Sequence, residues 1–272
     1  MAEMRILEGM GVSGGIAIGR AVCLETRGPE VFRLHIPETQ VENEVVRLRE
    51  GVEHARGELN RLRSRAEEDL GNDLAAIFDA HVLLLSDRHF LGRVEERIRT
   101  HHVNAEWAVH KTAEELDDRF AHMDDTYLRE RSEDLTDVSR HLLRSLQGIA
   151  HHDLSQLPDD IVIVADDLTP SDAVRLGRER VIGFAIESGG RTSHTTIIAR
   201  SLNIPAVAGL VSMMGLMCDD APIIVDGETG TVILHPDAPT LQRYLARKAE
   251  ILRRDRDLLA TRELAAVTHD GV

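Results

Sequence analysis

The sequence predicts an α/β domain interrupted by an inserted all-α helical bundle and followed by one long helix. Three observations lead there. Residues 38–148 contain no proline and little glycine, and their apolar residues recur at helical spacing. Short β-patterned runs bracket that stretch: IAIGRAV before it, IVIVA and VIGFAIE after it. Beyond Pro236, Leu241, Leu245, Ile251, Leu252 and Leu258 fall along one helical face dense in Arg and Glu. At 272 residues the chain suffices for one large or two modest domains with a real core.

Composition narrows the function classes. Apolar content of 42% and charged content of 29% are ordinary for a soluble globular protein. A formal net charge of −15 argues against nucleic acid as partner and permits a basic protein partner. Cys23 and Cys218 are far apart and form no redox or metal motif, which fits a reducing cytoplasm. No run has the length of a membrane span, and MAEMRILEGM lacks the apolar core of a signal peptide. Arginine outnumbers lysine thirty to two, which we read as genomic bias.

Taken in order, GVSGGIAIGRAVCLE suggests a β-hairpin or strand pair broken at Gly19, and residues 26–37 are loop-like. Val41, Val45, Leu48, Val52, Ala55, Leu59, Leu62 and Ala66 then step by four and three, a period near 3.5. That predicts a helix of about 30 residues and about 45 Å, at about 1.5 Å per residue, ended near Gly71. Leu74, Ile77, Phe78, His81, Leu84 and Leu85 mark a second helix, with Val94 and Ile98 continuing its stripe past a break near Asp87. A third is expected from about Ala105 to His122 and a fourth from about Tyr127 to Leu146, giving a four-helix bundle. Between Glu38 and Gly148, 25 Asp and Glu oppose 15 Arg and one Lys, a net of −9. Most of these charges are the wet faces of helices. The run HVLLL (81–85) cannot all face one core; either it packs on two sides or it forms a binding patch.

After the bundle, IVIVA is a buried-strand pattern, and DDLTPS (166–171) opens a helix capped by Thr169 or Ser171. VIGFAIE is the next strand. Ala206–Gly209, Ile223–Val225 and Thr231–Leu234 follow, the last two joined by the hairpin connection DGETG.

Between the VIGFAIE strand and the next lies GGRTSHTTIIAR, residues 189–200. It reads as a glycine loop leading into a short helix that starts near His194, with Ser193 as N-cap and Asn203 as a left-handed C-terminal cap before Pro205. A helix N-terminus offers free N–H groups and a positive dipole end, which favour an anion. Gly189 and Gly190 allow close backbone approach, and Arg191 supplies a bidentate phosphate donor. On residue types alone, two readings stand: a histidine that carries or adjoins a phosphoryl group, or an ordinary turn and cap. A Ser-His nucleophile pair is disfavoured, because Ser193 and His194 are adjacent and no orienting Asp follows.

GGRTSHTTIIAR resembles the phosphohistidine signature of the phosphoenolpyruvate-utilising enzymes, which include Enzyme I of the bacterial phosphotransferase system, pyruvate phosphate dikinase and phosphoenolpyruvate synthase. The segments GVSGGIAIG, AIFDAHVLLLSD, TYLRERSEDLTDVSRHLLRSLQG and DLTPSD resemble Enzyme I in particular. The resemblance implies an α/β phosphohistidine (swivelling) domain with an inserted all-α helical-bundle subdomain and a C-terminal linker helix. The expected division is 1–36 and 149–236 for the phosphohistidine domain, 37–148 for the helical subdomain, 237–265 for the linker helix and 266–272 for the start of a phosphoenolpyruvate-binding (β/α)8 barrel.

What the resemblance implies for the site is specific. His194 would take phosphate from phosphoenolpyruvate, with Gly190, Arg191, Thr192, Ser193 and Thr195 positioning it. Asp73, Leu83, Leu84, Asp87, His110 and Arg131 would bind the small carrier protein HPr, whose own histidine would receive the phosphate. Magnesium would bind outside this chain, and no metal or other cofactor is expected within it. Full-length relatives are expected to be cytoplasmic homodimers, and this chain a monomer without nucleic-acid or membrane partners, serving sugar uptake or nitrogen-related regulation. One position departs: where some Enzymes I carry a threonine that contacts the active imidazole, this chain has Ala173. Two other readings are a dikinase-type swivelling domain and a non-enzymatic helical interaction module on a silent α/β base.

Overall fold

The computed structural model describes residues 3–24, 28–69, 71–121, 126–149, 158–176, 180–189, 194–216 and 220–260; residues 73, 121, 126–133, 194, 195, 259 and 260 are described by backbone alone. Among the described residues, eight strands form one mixed sheet: β1 (Arg5–Glu8), β2 (Met10–Ser13), β3 (Ile16–Leu24), β4 (Ile161–Ala165), β5 (Val181–Ile186), β6 (Ala206–Ala208), β7 (Pro222–Asp226) and β8 (Thr231–Leu234). Their order is β1-β8-β7-β3-β4-β5-β6-β2. The central strands β3 to β6 are parallel and the flanking pairs antiparallel.

β1 and β2 stand at opposite edges, yet only Gly9 separates them in sequence, so the sheet curls until its edges meet. Closure leaves no free edge there. The Gly9 N–H donates to the Gly230 carbonyl at 2.8 Å. A Cβ on Gly9 would lie 2.6 Å from the Ala208 carbonyl oxygen, so only glycine fits.

Side chains alternate across this curled sheet. Ala17, Ala21, Val162, Val164, Ala185, Val207, Val225 and Val232 fill its interior. Gly19 shares their register within an unbroken β3, so the expected break at Gly19 is not there; a Cβ on it would meet the Asp160 carbonyl at 2.5 Å. The chain instead turns between β2 and β3, where Gly15 has φ of +99°.

Eight α-helices are found among the described residues: α1 (Val41–Asp69), α2 (Asn72–Leu84), α3 (Arg88–His101), α4 (Ala105–Ala121), α5 (Thr126–Gln147), α6 (Pro170–Leu176), α7 (His194–Leu202) and α8 (Ala238–Ala260). The insertion therefore holds five helices, not four. Asp87 is the cause: its Oδ1 accepts from the amides of His89 at 2.6 Å and Phe90 at 3.3 Å, starting α3 as a new helix. Every apolar position of the predicted α1 stripe is buried. Arg47 ties α1 to α4 and α5 through Glu44, Glu106 and the Leu146 carbonyl.

One hydrophobic core runs without interruption from Leu48, Leu59, Phe78 and Leu142 of the insertion, through α6 and α7, to Ile161, Ile163, Phe184 and Ile186 on the outer face of the sheet. α8 covers another part of that face with Tyr244, against Ile16, Ile224 and Ile233. Arg247 on the same helix reaches the fully buried Asp226 at 2.7 Å. No helix among the described residues is long and apolar enough to cross a membrane.

Candidate functional site

The parallel strands β4 and β5 deliver two loops to one edge of the sheet, at their carboxyl ends, where α/β folds place ligands. The loop after β4 leads into α6. Thr169 is the cap: its Oγ1 accepts from the Asp172 amide at 3.2 Å, and the Asp172 carboxylate accepts in return from the Thr169 amide at 3.4 Å, a reciprocal capping box, and from the Thr169 hydroxyl at 2.8 Å. Ser171, the other expected cap, does not cap; its hydroxyl lies 2.6 Å from His141 Nε2 on α5.

The loop after β5 passes through Gly189, whose φ of +97° is left-handed and suits glycine. α7 is described from His194 to Leu202, so His194 lies on this helix. It ends at Asn203 with φ of +54°, where Ile204 N–H returns to the Ala199 carbonyl at 3.1 Å and Asn203 N–H to that of Arg200 at 3.0 Å. Gly190, Arg191, Thr192 and Ser193 lie outside the described residues, and His194 and Thr195 are placed by backbone only. The two loops are joined: the Ser188 amide donates to the Asp166 carbonyl at 2.7 Å.

α7 is held from two sides. Ile198, Ala199 and Leu202 are buried in the shared core. From below, Ser13 Oγ donates to the Ala199 carbonyl at 3.5 Å, and Arg200 Nε donates to the Val12 carbonyl at 3.1 Å. Ala173 is fully buried on α6 and brings no hydroxyl to this neighbourhood.

The expected partner residues divide. Leu83, Leu84 and Asp87 line one groove between α2, α3, α4 and α5, about 190 Å³ in volume, whose walls also include His89, Phe90, Leu116, Phe120 and Asp134. Leu83 is 70% exposed, a large apolar side chain in water. Asp87 both caps α3 and lines this groove, which ties the surface to the helix break. Behind the groove, the buried His81 places Nε2 3.1 Å from Asp134 and Nδ1 3.6 Å from Asp137. His110 is exposed on α4 against Trp107, with ring centroids 6.0 Å apart, and is not among the groove's lining residues. The side chains of Asp73 and Arg131 lie outside the description. The sequence assigns none of His89, Leu116, Phe120 and Asp134 to the partner site; Leu116 and Phe120 read there only as packing residues of a helix.

Among the described residues, no three His, Cys, Asp or Glu side chains converge to hold a metal ion. Among the described residues, Cys23 forms no disulfide.

Comparison with known proteins bears on the whole arrangement. The family described as PEP-utilising enzyme, N-terminal, matches residues 8–131, and that described as PEP-utilising enzyme, mobile domain, matches residues 157–230. The phosphoenolpyruvate-protein phosphotransferase of Bacillus subtilis (strain 168) is 41% identical over 254 residues, covering 91% of this chain and 44% of that protein. Its counterpart in Geobacillus stearothermophilus is 39% identical over 268 residues, covering 98% of this chain and 46% of that protein. The chain thus spans about half the length of the curated relatives it matches. Among solved structures, the solution structure of an Enzyme I protein (nEIt) is 38% identical with a TM-score of 0.74, over 90% of this chain and 99% of that one. The N-terminal domain of Enzyme 1 - Nitrogen is 28% identical with a TM-score of 0.56, over 90% of this chain and all of that one. The curled α/β sheet with its helical insertion is the architecture of those Enzyme I neighbours, and the chain belongs to the phosphoenolpyruvate-utilising enzymes.

Proposed function

We propose that this chain is the phosphoryl-carrying N-terminal part of a phosphoenolpyruvate–protein phosphotransferase, with His194 as the phosphate carrier. The observation that carries this reading is the place of His194 in the first described turn of α7, five residues after Gly189 with its left-handed φ of +97°. In the longer protein, phosphoenolpyruvate and magnesium would bind a C-terminal part.

His194 attacks phosphorus in line through one ring nitrogen, expected to be Nε2. As the N–P bond forms, the bond from phosphorus to its donor breaks and the donor keeps the electron pair, so no proton need move in transfer between two histidines. Phosphoryl transfer demands positioning and charge neutralisation above all. Arg191 and the free N–H groups of the first turn of α7 are suited to the phosphoryl oxygens, and Gly190, Thr192, Ser193 and Thr195 to the remaining contacts. The second ring nitrogen needs a hydrogen-bond partner to fix the tautomer. Ala173 cannot be that partner, so another group takes the role in this chain.

The acceptor we propose is an HPr-type carrier docked on the groove of Leu83, Leu84 and Asp87, with Asp73, His110 and Arg131 as further contact residues. HPr carries its own histidine at a helix N-terminus amid basic residues, and the −9 balance of the insertion complements it. We assign residues 1–36 and 149–236 to the phosphohistidine domain, 37–148 to the docking subdomain, 237–265 to the linker helix and 266–272 to the next domain. A cytoplasmic homodimer for the longer protein and a monomer for this chain belong to the same proposal. The naming of the curated relatives above favours it over a dikinase-type domain.

The test is to mix the chain with phospho-HPr and follow intact mass. One acid-labile phosphoryl group should appear, and none with phosphoenolpyruvate alone. Labelling by phosphoenolpyruvate with no other protein present would overturn the division of labour; uptake by His194→Gln would move the carrier elsewhere.

A further inference from the structure

Between the helical insertion and the sheet sits a buried polar cluster that no step above uses. His141 of α5 is 2% exposed and Ser171 of α6 is 3% exposed, and His141 Nε2 lies 2.6 Å from Ser171 Oγ. On the other side of the ring, Nδ1 is 3.8 Å from Glu58 Oε2 on α1. Glu58 turns its second oxygen to Arg175 of α6, with Nη2 donating at 2.6 Å. Three helices, two from the insertion and one from the α/β domain, thus meet at one polar cluster, in which Ser171 is hydrogen-bonded to His141 and Glu58 is ion-paired with Arg175.

The cluster lies inside the molecule, beside buried apolar residues. Leu59, Leu142, Val174 and Leu176 belong to the continuous core around it. Burial pulls the Arg175 guanidinium below its ordinary pKa, while Glu58 and Asp172 pull the other way and Arg144 of α5 adds to the lowering. A buried polar chain is costly unless it is satisfied, so such groups act as specific registers between elements, where grease alone would let helices slide. The Ser-His-Glu order has the outline of a nucleophile triad, but a hydroxyl 3% exposed and wedged between helices meets no substrate. Its location suggests a different role. Ser171 lies in the first turn of α6, one residue past Pro170 and two past the cap Thr169. The loop before that cap is bonded to the loop leading to His194, through the Ser188 amide and the Asp166 carbonyl.

We propose that His141 and Ser171, braced by Glu58 and Arg175, are positioning residues that fix the phosphohistidine loop in register with the carrier-docking helices. The inference rests on the functional reading given above. Phosphoryl transfer between two proteins needs both histidines in line, and a misplacement of about 1 Å can cost on the order of a hundredfold in rate. A small phosphoryl donor in solution has no docking face to keep in register and is indifferent to the clamp.

That difference supplies the test. The chain is phosphorylated in parallel by saturating phospho-HPr and by phosphoramidate. Ser171→Ala and His141→Leu should lower the first rate at least tenfold and leave the second within about twofold, with HPr affinity unchanged. His141→Gln keeps an amide near the position of Nε2 and should recover most of the loss. Ser171→Ala removes one oxygen and is the variant least exposed to a folding defect. Equal falls in both rates, or no fall in either, would overturn the positioning role. A wild-type chain inert to both donors would overturn the functional reading itself, and the clamp's role with it.

Discussion

Phe78, Leu59 and Leu142 fill the helical insertion with large side chains, whereas Ala17, Ala21, Ala185 and Gly19 line the interior of the curled sheet. The contrast follows from geometry. Helix axes stand about 8–10 Å apart and leave gaps for big residues. Inside the sheet closed at Gly9, close approaches hold several inward positions to alanine or glycine, although Ile223 and Leu234 also point inward. The charges differ in the same way. The insertion is laced with Arg–carboxylate pairs, including Arg47 with Glu44 and Glu106, Arg49 with Glu95 and Arg99 with Glu42. Around the sheet the described pairs are fewer, such as Arg20 with Asp220 and Arg247 with Asp226. One region is therefore weakened by emptying it and the other by filling it.

The largest expected effect breaks the insertion. Phe78→Ala removes a fully buried ring and should cost about 3–5 kcal/mol, read as a lower denaturation midpoint. Next comes the sheet. A Cβ on Gly227 would collide with the backbone carbonyl of Ser13 and also crowd the Ala206 amide, so Gly227→Ala should cost about 1–3 kcal/mol despite adding only one methyl. A neutral Gly227→Ala would mean that the closure is looser than described.

Acid should separate the regions further. Burial pushes the Glu106 carboxyl up, but the Arg47 guanidinium, the Glu106 amide and Asn104 outweigh that and hold it below the ordinary carboxylate range. The Arg49 guanidinium likewise lowers Glu95. A depressed folded-state pKa gives stability that is full above the unfolded value, near 4.3, and is lost as pH falls through the folded one. The insertion's helical signal should therefore soften below about pH 4.3 in Glu106-intact protein, and less so in Glu106→Gln. Equal acid sensitivity in the two proteins would contradict this. The smallest stability effect is expected at Leu83, whose side chain is mostly in water: Leu83→Asp should stay within about 0.5 kcal/mol of wild type.

Much of this architecture was legible in the sequence. Val41 to Ala66 spelled out α1 because a one-sided helix forces a stripe, and every position in it proved buried. Asn203 before Pro205 marked the end of α7 because few other residues take a left-handed cap. The fifth helix was harder to see. Asp87 interrupts a stripe that continues through Val94 and Ile98, and a cap satisfies amides without disturbing periodicity. Gly19 misled for a related reason: glycine in a strand signals a break as readily as a close approach, and only the neighbouring Asp160 carbonyl distinguishes them. Closure at Gly9 depends on pairings with β6 and β8, about two hundred residues away, which no local pattern records.

At the candidate site, the histidine motif was legible because its residue types are chemical. The groove was half legible: Leu83 and Leu84 stood out as an apolar surplus, while Asp134 and Phe120 looked like any bundle residues. The Ser171–His141 contact was hidden, since a serine beside a cap reads as another cap.

The central claim is that the insertion docks the partner and the α/β domain carries the phosphate. Binding of HPr to wild type, His194→Ala and Leu83→Asp, measured by surface plasmon resonance at about 0.05 and 0.5 M salt, tests it most directly. We predict that His194→Ala leaves both rate constants nearly unchanged, that Leu83→Asp raises the dissociation rate, and that salt lowers the association rate. Binding that is lost with His194, yet indifferent to salt and to Leu83→Asp, would place the docking surface on the α/β domain and contradict the account.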